Sequence, residues 1–209
     1  MFAHFLDLLF PPRADEIALR GVSADDFLAL LAPRLVSETR PGTVALLPFA
    51  AARAALHEAK YHGSERAFRF LAAALAEYLR DADDVGFTKP YIILTPVPLG
   101  AARQKERGFN QVEEVARRTL RILNKEGERV FALEPDLLIR TRETASQVSL
   151  PRTLRLKNME GAFVCPAKLN ERRGGATYNV IDDVVTTGAT LQAALDALHD
   201  VGAEHIIPL

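Results

Sequence analysis

The 209-residue sequence predicts an α/β fold with a doubly wound, mainly parallel sheet and a small helical appendage at its N-terminal end. Three observations carry that reading. From about residue 43, apolar runs rich in β-branched residues alternate with stretches of helical period, the pattern of strands joined by crossover helices. Residues 91–97 form an apolar run fit for a strand buried on both faces, and residues 178–181 read as a second. A hydrophobic share of 48% with 25% charged residues suits a chain that closes a sizeable core.

Residues 1–42 make the appendage. Phe2, Phe5, Leu6, Leu8 and Leu9 form a short apolar segment closed by Pro11 and Pro12. Ser23, followed by Asp25 and Asp26, has the residue types that cap a helix and complement its dipole. Pro33 and Pro41 punctuate the stretch after that helix. Residues 43–209 make the main domain. A short strand is expected at 44–47, then helices at 50–60 and 65–80 with a break at His62 and Gly63. In the second helix Phe68, Leu71, Leu75, Tyr78 and Leu79 recur on one face. After strand 91–97, Asn110 opens a helix to about Leu123. Short strands at 137–139 and 163–164, strand 178–181, a helix at 190–201 ended by Gly202, and strand 205–208 complete the pattern.

Charge narrows the function. The formal net charge is −1, yet residues 101–175 hold 16 Lys/Arg against 10 Asp/Glu, and the remainder holds 10 against 17. A basic middle in an acidic chain points to a compact anionic ligand rather than to a long polyanion. Direct single-strand DNA binding by that middle is a weaker reading, because aromatics make up 7% and there is no Trp for stacking. Cys165 is the only cysteine, which excludes an internal disulfide and a thiolate zinc site. His4, His57, His62, His199 and His205 pair with no third ligand by spacing, so a histidine metal site is not expected. Asp7 interrupts the first apolar stretch and no basic region precedes it, so no signal peptide is expected. The uncharged stretch Pro90 to Ala102 is short and broken by proline, so no membrane insertion is expected and the chain reads as cytoplasmic.

The segment with the clearest chemistry is Tyr178-Asn179-Val180-Ile181-Asp182-Asp183-Val184-Val185-Thr186-Thr187-Gly188-Ala189-Thr190. An apolar strand delivers two acids at its C-terminal end, and a turn of small residues then opens a helix. In open α/β sheets, ligands sit beyond the carboxyl ends of such strands. Backbone N–H groups at a helix start attract an anion, hydroxyls add donors, and Gly188 permits close approach. Acids directly before a phosphate cradle fit a ligand with a phosphate at one end and neutral hydroxyls about one sugar away, as in ribose 5-phosphate.

That stretch resembles the 5-phosphoribosyl diphosphate (PRPP) signature of the type I phosphoribosyltransferases, and within them the chain resembles the ComF family of competence-associated proteins. Further segments carry the narrower resemblance: Lys60-Tyr61-His62-Gly63; Thr95-Pro96-Val97-Pro98 followed by Arg103 and by Arg107-Gly108-Phe109-Asn110-Gln111; and Arg140-Thr141-Arg142-Glu143-Thr144 with Gln147, Arg152, Asn158 and Gly161-Ala162-Phe163. They run in order through roughly residues 44–209.

The resemblance implies a Mg²⁺-dependent phosphoribosyltransferase fold and site. Asp182 and Asp183 would be the catalytic pair, holding ribose hydroxyls directly or through Mg²⁺. Val184, Val185, Thr186, Thr187, Gly188, Ala189 and Thr190 would hold the 5-phosphate. Val97, Pro98, Arg103 and Arg107 would receive the pyrophosphate; the two arginines alone read rather as a solvated surface pair, and their place beside Val97-Pro98 and Gly108-Phe109-Asn110-Gln111 favours the pyrophosphate role. Arg140, Arg142, Thr144, Gln147 and Arg152 would belong to a loop that closes over PRPP, or to an exposed linker. Lys60 either joins the site or complements a helix C-terminus. Many ComF proteins begin with a zinc module of paired cysteines. Here Leu8-Leu9-Phe10-Pro11-Pro12 keeps the approach to it, but the cysteines are absent and zinc is not carried over. The family link implies a role in DNA uptake with helicase partners, either as an enzyme or as a non-catalytic nucleotide-binding partner. The acceptor and the oligomeric state are not legible.

Overall fold

The computed structural model describes residues 14–19, 21–29, 35–36, 42–47, 49–81, 91–124, 130–143, 158–166 and 175–209. The expected apolar segment at Phe2–Leu9, the prolines at 11, 12, 33 and 41, and most of the 140–157 loop lie outside these residues.

Four parallel strands form the central sheet: β3 (Tyr91–Pro96), β4 (Val130–Leu133), β7 (Thr177–Ile181) and β8 (His205–Pro208), in the order β4-β3-β7-β8. From β3 the chain runs through α5 (Ala101–Arg107) and α6 (Gln111–Leu123) to β4 on one side. From β7 it runs through α7 (Ala189–His199) to β8 on the other. The winding reverses between β3 and β7, so the crevice for a ligand opens beyond their carboxyl ends. Pro96 pairs in register with Ile181, and Val97 N donates to Ile181 O at 2.9 Å, which holds the two strand ends together.

Alternate side chains of the strands serve two cores. Ile92, Leu94 and Ile181 pack with Leu75 and Leu79 of α4 (Glu65–Arg80) and with Val112, Ala116 and Leu123 of α6. Ile93, Tyr178 and Val180 pack with Leu191, Ala194 and Leu198 of α7 and with Phe163. A third core joins α1 (Ala14–Leu19) and α2 (Ala24–Leu28) to α3 (Phe49–His62) and α4: Leu19 and Phe27 pack with Ala55, Ala59, Phe68 and Phe70. The Phe27 and Phe70 rings stack at 4.9 Å. Ser23 caps α2 as its sequence position predicts, accepting from Asp26 N at 3.0 Å.

The structure revises several expected elements. The strand expected at 44–47 is β2 (Val44–Ala45), paired antiparallel with β1 (Leu35–Val36) outside the parallel sheet. The strand expected at 137–139 is β5 (Ile139–Arg140), which pairs antiparallel with β6 (Phe163–Val164) in a separate ribbon. β4, at one edge of the sheet, escapes the alternation of strand and helix because it is a four-residue run close after α6. Residues 101–107, to which the sequence pattern assigns no element, form a helix that ends at Gly108 with φ 78°. No helix among the described residues is long and apolar enough to cross a membrane.

Candidate functional site

All five residues of β7 are buried, and the chain leaves the sheet at Asp182 and Asp183, both half-buried. Asp182 N donates to Leu209 O at 2.9 Å, and Asp183 N donates to Asp182 Oδ1 at 2.9 Å, which orients the first carboxylate. Asp183 Oδ2 accepts from Gln111 Nε2 at 2.6 Å and lies 2.5 Å from Lys60 Nζ. Gln111 Oε1 in turn accepts from the Arg107 guanidinium at 3.0 Å, and that guanidinium sits 5.4 Å from the centre of the Tyr61 ring. Segments 60–63, 107–111 and 182–190, remote in sequence, thus meet around one carboxylate.

Burial, followed by the charge of Asp183, pushes the Asp182 carboxyl up from 3.8 to about 7; the Asp183 N–H, Lys60 and Arg140 oppose the rise. An acid so placed favours whatever lowers the cost of its charge, a cation or a hydrogen-bond donor from a ligand.

Beyond the acids, residues 184–188 turn into α7. Gly188 is its N-cap at φ 71°, in the left-handed region where a side chain is strained, and it caps without a side-chain hydrogen bond. Val185 packs against the core and Ala189 is buried in it, which anchors the turn, while Thr186 is exposed and Val184 and Thr190 are half-buried. Thr187 Oγ1 accepts from Ala189 N at 3.5 Å. At the neighbouring strand end, Val97 is buried and Pro98 half-buried. Asn110 fixes this turn twice over: its Oδ1 accepts from Val112 N at 3.1 Å, capping α6, and its Nδ2 donates to Val97 O at 3.0 Å.

The two arginines expected at the pyrophosphate diverge. Arg103 is exposed on α5, whereas Arg107 is half-buried and turned to Gln111 and Tyr61. Of the expected loop residues, Arg140 is paired with Phe163 in the β5–β6 ribbon, its guanidinium 5.6 Å from the Phe163 ring centre and its pKa lowered chiefly by burial. Arg142 braces the turn ahead of β6, donating to Asn158 O at 3.1 Å and Glu160 O at 2.7 Å. Thr144, Gln147 and Arg152 lie outside the described residues. Glu143 reaches the start of α5, where its Oε1 accepts from Ala102 N at 3.3 Å.

An apolar pocket of about 280 Å³ adjoins the acids. Asp182, Asp183 and Gln111 stand at its polar side, and Leu46, Leu47, Leu56, Leu71 and Val115 are among its apolar walls. Sequence reasoning assigns no site role to Gln111, Asn110 or Tyr61 and leaves Lys60 open. Their motifs are the only signal, since spacing along the chain says nothing of a meeting across α3, α6 and β7.

A parallel sheet with a strand-end acid pair and a small-residue turn into a helix at its switch point defines a type I phosphoribosyltransferase-like α/β protein. No protein-family model matches the sequence. The chain is 31% identical over 141 residues to Competence protein F of Haemophilus influenzae, covering 66% of this chain and 57% of that one. It is 32% identical over 149 residues to the DNA utilization protein YhgH of Escherichia coli O157:H7, covering 71% and 61%. It is 35% identical over 109 residues to the Bifunctional protein PyrR of Bacillus pumilus, covering 50% and 52%. The chain is similar to the ComF family of competence and DNA utilization proteins. It spans about three fifths of the length of the competence and DNA utilization proteins it matches, 57% and 61% respectively.

Proposed function

We propose that this chain binds PRPP with Mg²⁺ beyond the β3 and β7 strand ends and transfers its phosphoribosyl group to an acceptor, in the service of DNA uptake. The observation that carries the reading is the convergence of Lys60 and Gln111 on Asp183, with Arg107 holding Gln111, beside Asp182 and ahead of the turn into α7. In this reading residues 184–190 hold the 5-phosphate, the two acids hold the ribose hydroxyls, and the turn at Val97 and Pro98 with Arg103 receives the pyrophosphate. Transfer breaks the bond from C1 to the pyrophosphate oxygen and forms a bond from C1 to the acceptor. Negative charge grows on the departing oxygens, and fixed cations stabilise it. Arg107 acts through Gln111 by holding the amide that orients Asp183. Two adjacent carboxylates suit Mg²⁺, a hard cation that keeps waters and shares its coordination with substrate phosphates. When bound, it would neutralise part of the pyrophosphate charge.

The apolar pocket next to Asp182 and Asp183 supports a flat heterocyclic acceptor over ammonia or a charged amine, because its walls offer burial and few polar partners. A second reading, a non-catalytic PRPP or nucleotide-binding partner of the DNA uptake machinery, is favoured by one observation. Asp183 Oδ2 is already taken by Lys60 and Gln111, so a ribose hydroxyl must share or displace them.

The test is pyrophosphate release from PRPP and Mg²⁺ with a panel of bases and amines. Release with a heterocyclic acceptor, lost in Asp182→Asn/Asp183→Asn, is the expected result. Saturable PRPP binding without release from any acceptor selects the second reading. Unchanged PRPP affinity in the double variant removes the site assignment.

A further inference from the structure

Where α1 packs on α3, Glu16 meets His57 and His62. Glu16 is 1% exposed, a carboxylate carried into a largely apolar junction. His57 Nδ1 lies 2.8 Å from Glu16 Oε1, yet that contact lacks the angles of a hydrogen bond. His62 brings a third donor: one ligand atom from each of the three residues falls within 4.8 Å of the others. Spacing along the chain pairs no histidine with a third ligand; the packing of α1 on α3 does.

We propose that Glu16, His57 and His62 bind a divalent transition metal, with Zn²⁺ the best fit. Ligand atoms on a tetrahedral ion at bonds of about 2.0–2.1 Å stand roughly 3.4 Å apart. His57 Nδ1 and Glu16 Oε1 stand 2.8 Å apart, and one ligand atom from each of the three residues lies within 4.8 Å of the others, a spread that includes that value. Two imidazoles with one carboxylate are borderline donors. They suit Zn²⁺ and its neighbours over Mg²⁺ or Ca²⁺, which take oxygen ligands.

The position gives the metal a structural task. α1 has six residues, too few to hold as a helix alone, and Arg53 of α3 already ties it down through Asp15 at 2.6 Å. A metal on His57 and His62 would clamp the end of α3, which also carries Lys60 to Asp183 and sets the Tyr61 ring, tilted by 42°, 4.5 Å from that of His57.

The experiment is titration of the chelator-treated full chain with Zn²⁺, and with Co²⁺ as a spectroscopic probe, in excess Mg²⁺. Expected are one equivalent of Zn²⁺, a raised thermal midpoint, and the intense visible absorption of tetrahedral Co²⁺. Affinity should fall at least tenfold in His57→Gln, His62→Gln and Glu16→Gln, and should stay unchanged in Asp182→Asn/Asp183→Asn. Weak octahedral Co²⁺ absorption in the wild-type chain overturns the proposal whatever the variants do. So does Zn²⁺ binding that survives the histidine substitutions or vanishes with the two aspartates.

Discussion

Lys60 Nζ lies 2.5 Å from Asp183 Oδ2, joining the last turn of α3 to the loop that leaves β7. Both side chains are largely shielded, 18% and 16% exposed, so the pair feels less solvent screening than a surface bridge. Lys60→Met should destabilise the protein by about 2 kcal/mol, since it leaves a shielded carboxylate with only the Gln111 amide. A double-mutant cycle with Asp183→Asn should return a coupling of about 1–2 kcal/mol from denaturant unfolding. Zero coupling would mean that the two side chains do not depend on each other.

Asp182 gives stability a distinct pH dependence. Its carboxyl is pushed up from 3.8 to about 7, so the native state keeps a proton that the unfolded chain has released. The contribution is complete below the unfolded value, is lost as pH rises through the interval to about 7, and is level beyond. Asp182→Asn removes the titration. Thermal midpoints measured without divalent ions from about pH 4 to about pH 8 should show wild type losing ground to the variant up to about pH 7 and none afterwards. A gap that holds constant or moves the other way contradicts this account of the carboxyl.

Much of the fold is legible in the sequence because apolar patterning dominates it. The run at 91–97, the cap at Asn110 and the face of Phe68, Leu75 and Leu79 all reappear in the packing. The antiparallel ribbons read as sheet strands because two-residue pairings carry no periodicity that tells a sheet from a ribbon. At the site, Asp182 and Asp183 are legible since strand, acids and turn are contiguous. Lys60 and Gln111 are not, because their roles arise only when α3 and α6 dock beside β7. The charge of Arg142 suggests a closing loop, but its guanidinium donates to the carbonyls of Asn158 and Glu160.

Gly108 ends α5 at φ 78°, with its N–H donating to Gln104 O at 2.8 Å. A Cβ built there meets nothing within 4 Å, so the cost of a side chain is conformational alone. Gly108→Ala should destabilise by about 1 kcal/mol, and Gly108→Asn by less, because Asn tolerates the left-handed region better. Equal losses for the two would point to a contact rather than to backbone conformation.

Asn110 performs two tasks that substitution can separate. Its Oδ1 caps α6 at Val112 N, and its Nδ2 holds the buried Val97 carbonyl. Asn110→Ala forfeits both, for about 2–3 kcal/mol: about 1 for the cap and about 1–2 for the carbonyl left without its donor. Asn110→Ser keeps a capping hydroxyl but is too short to reach Val97, so it should cost only the second share. If the Val97–Pro98 turn receives pyrophosphate, PRPP affinity should fall equally in the two variants although their stabilities differ. Affinity that instead follows stability would show that Asn110 serves the fold and not the turn.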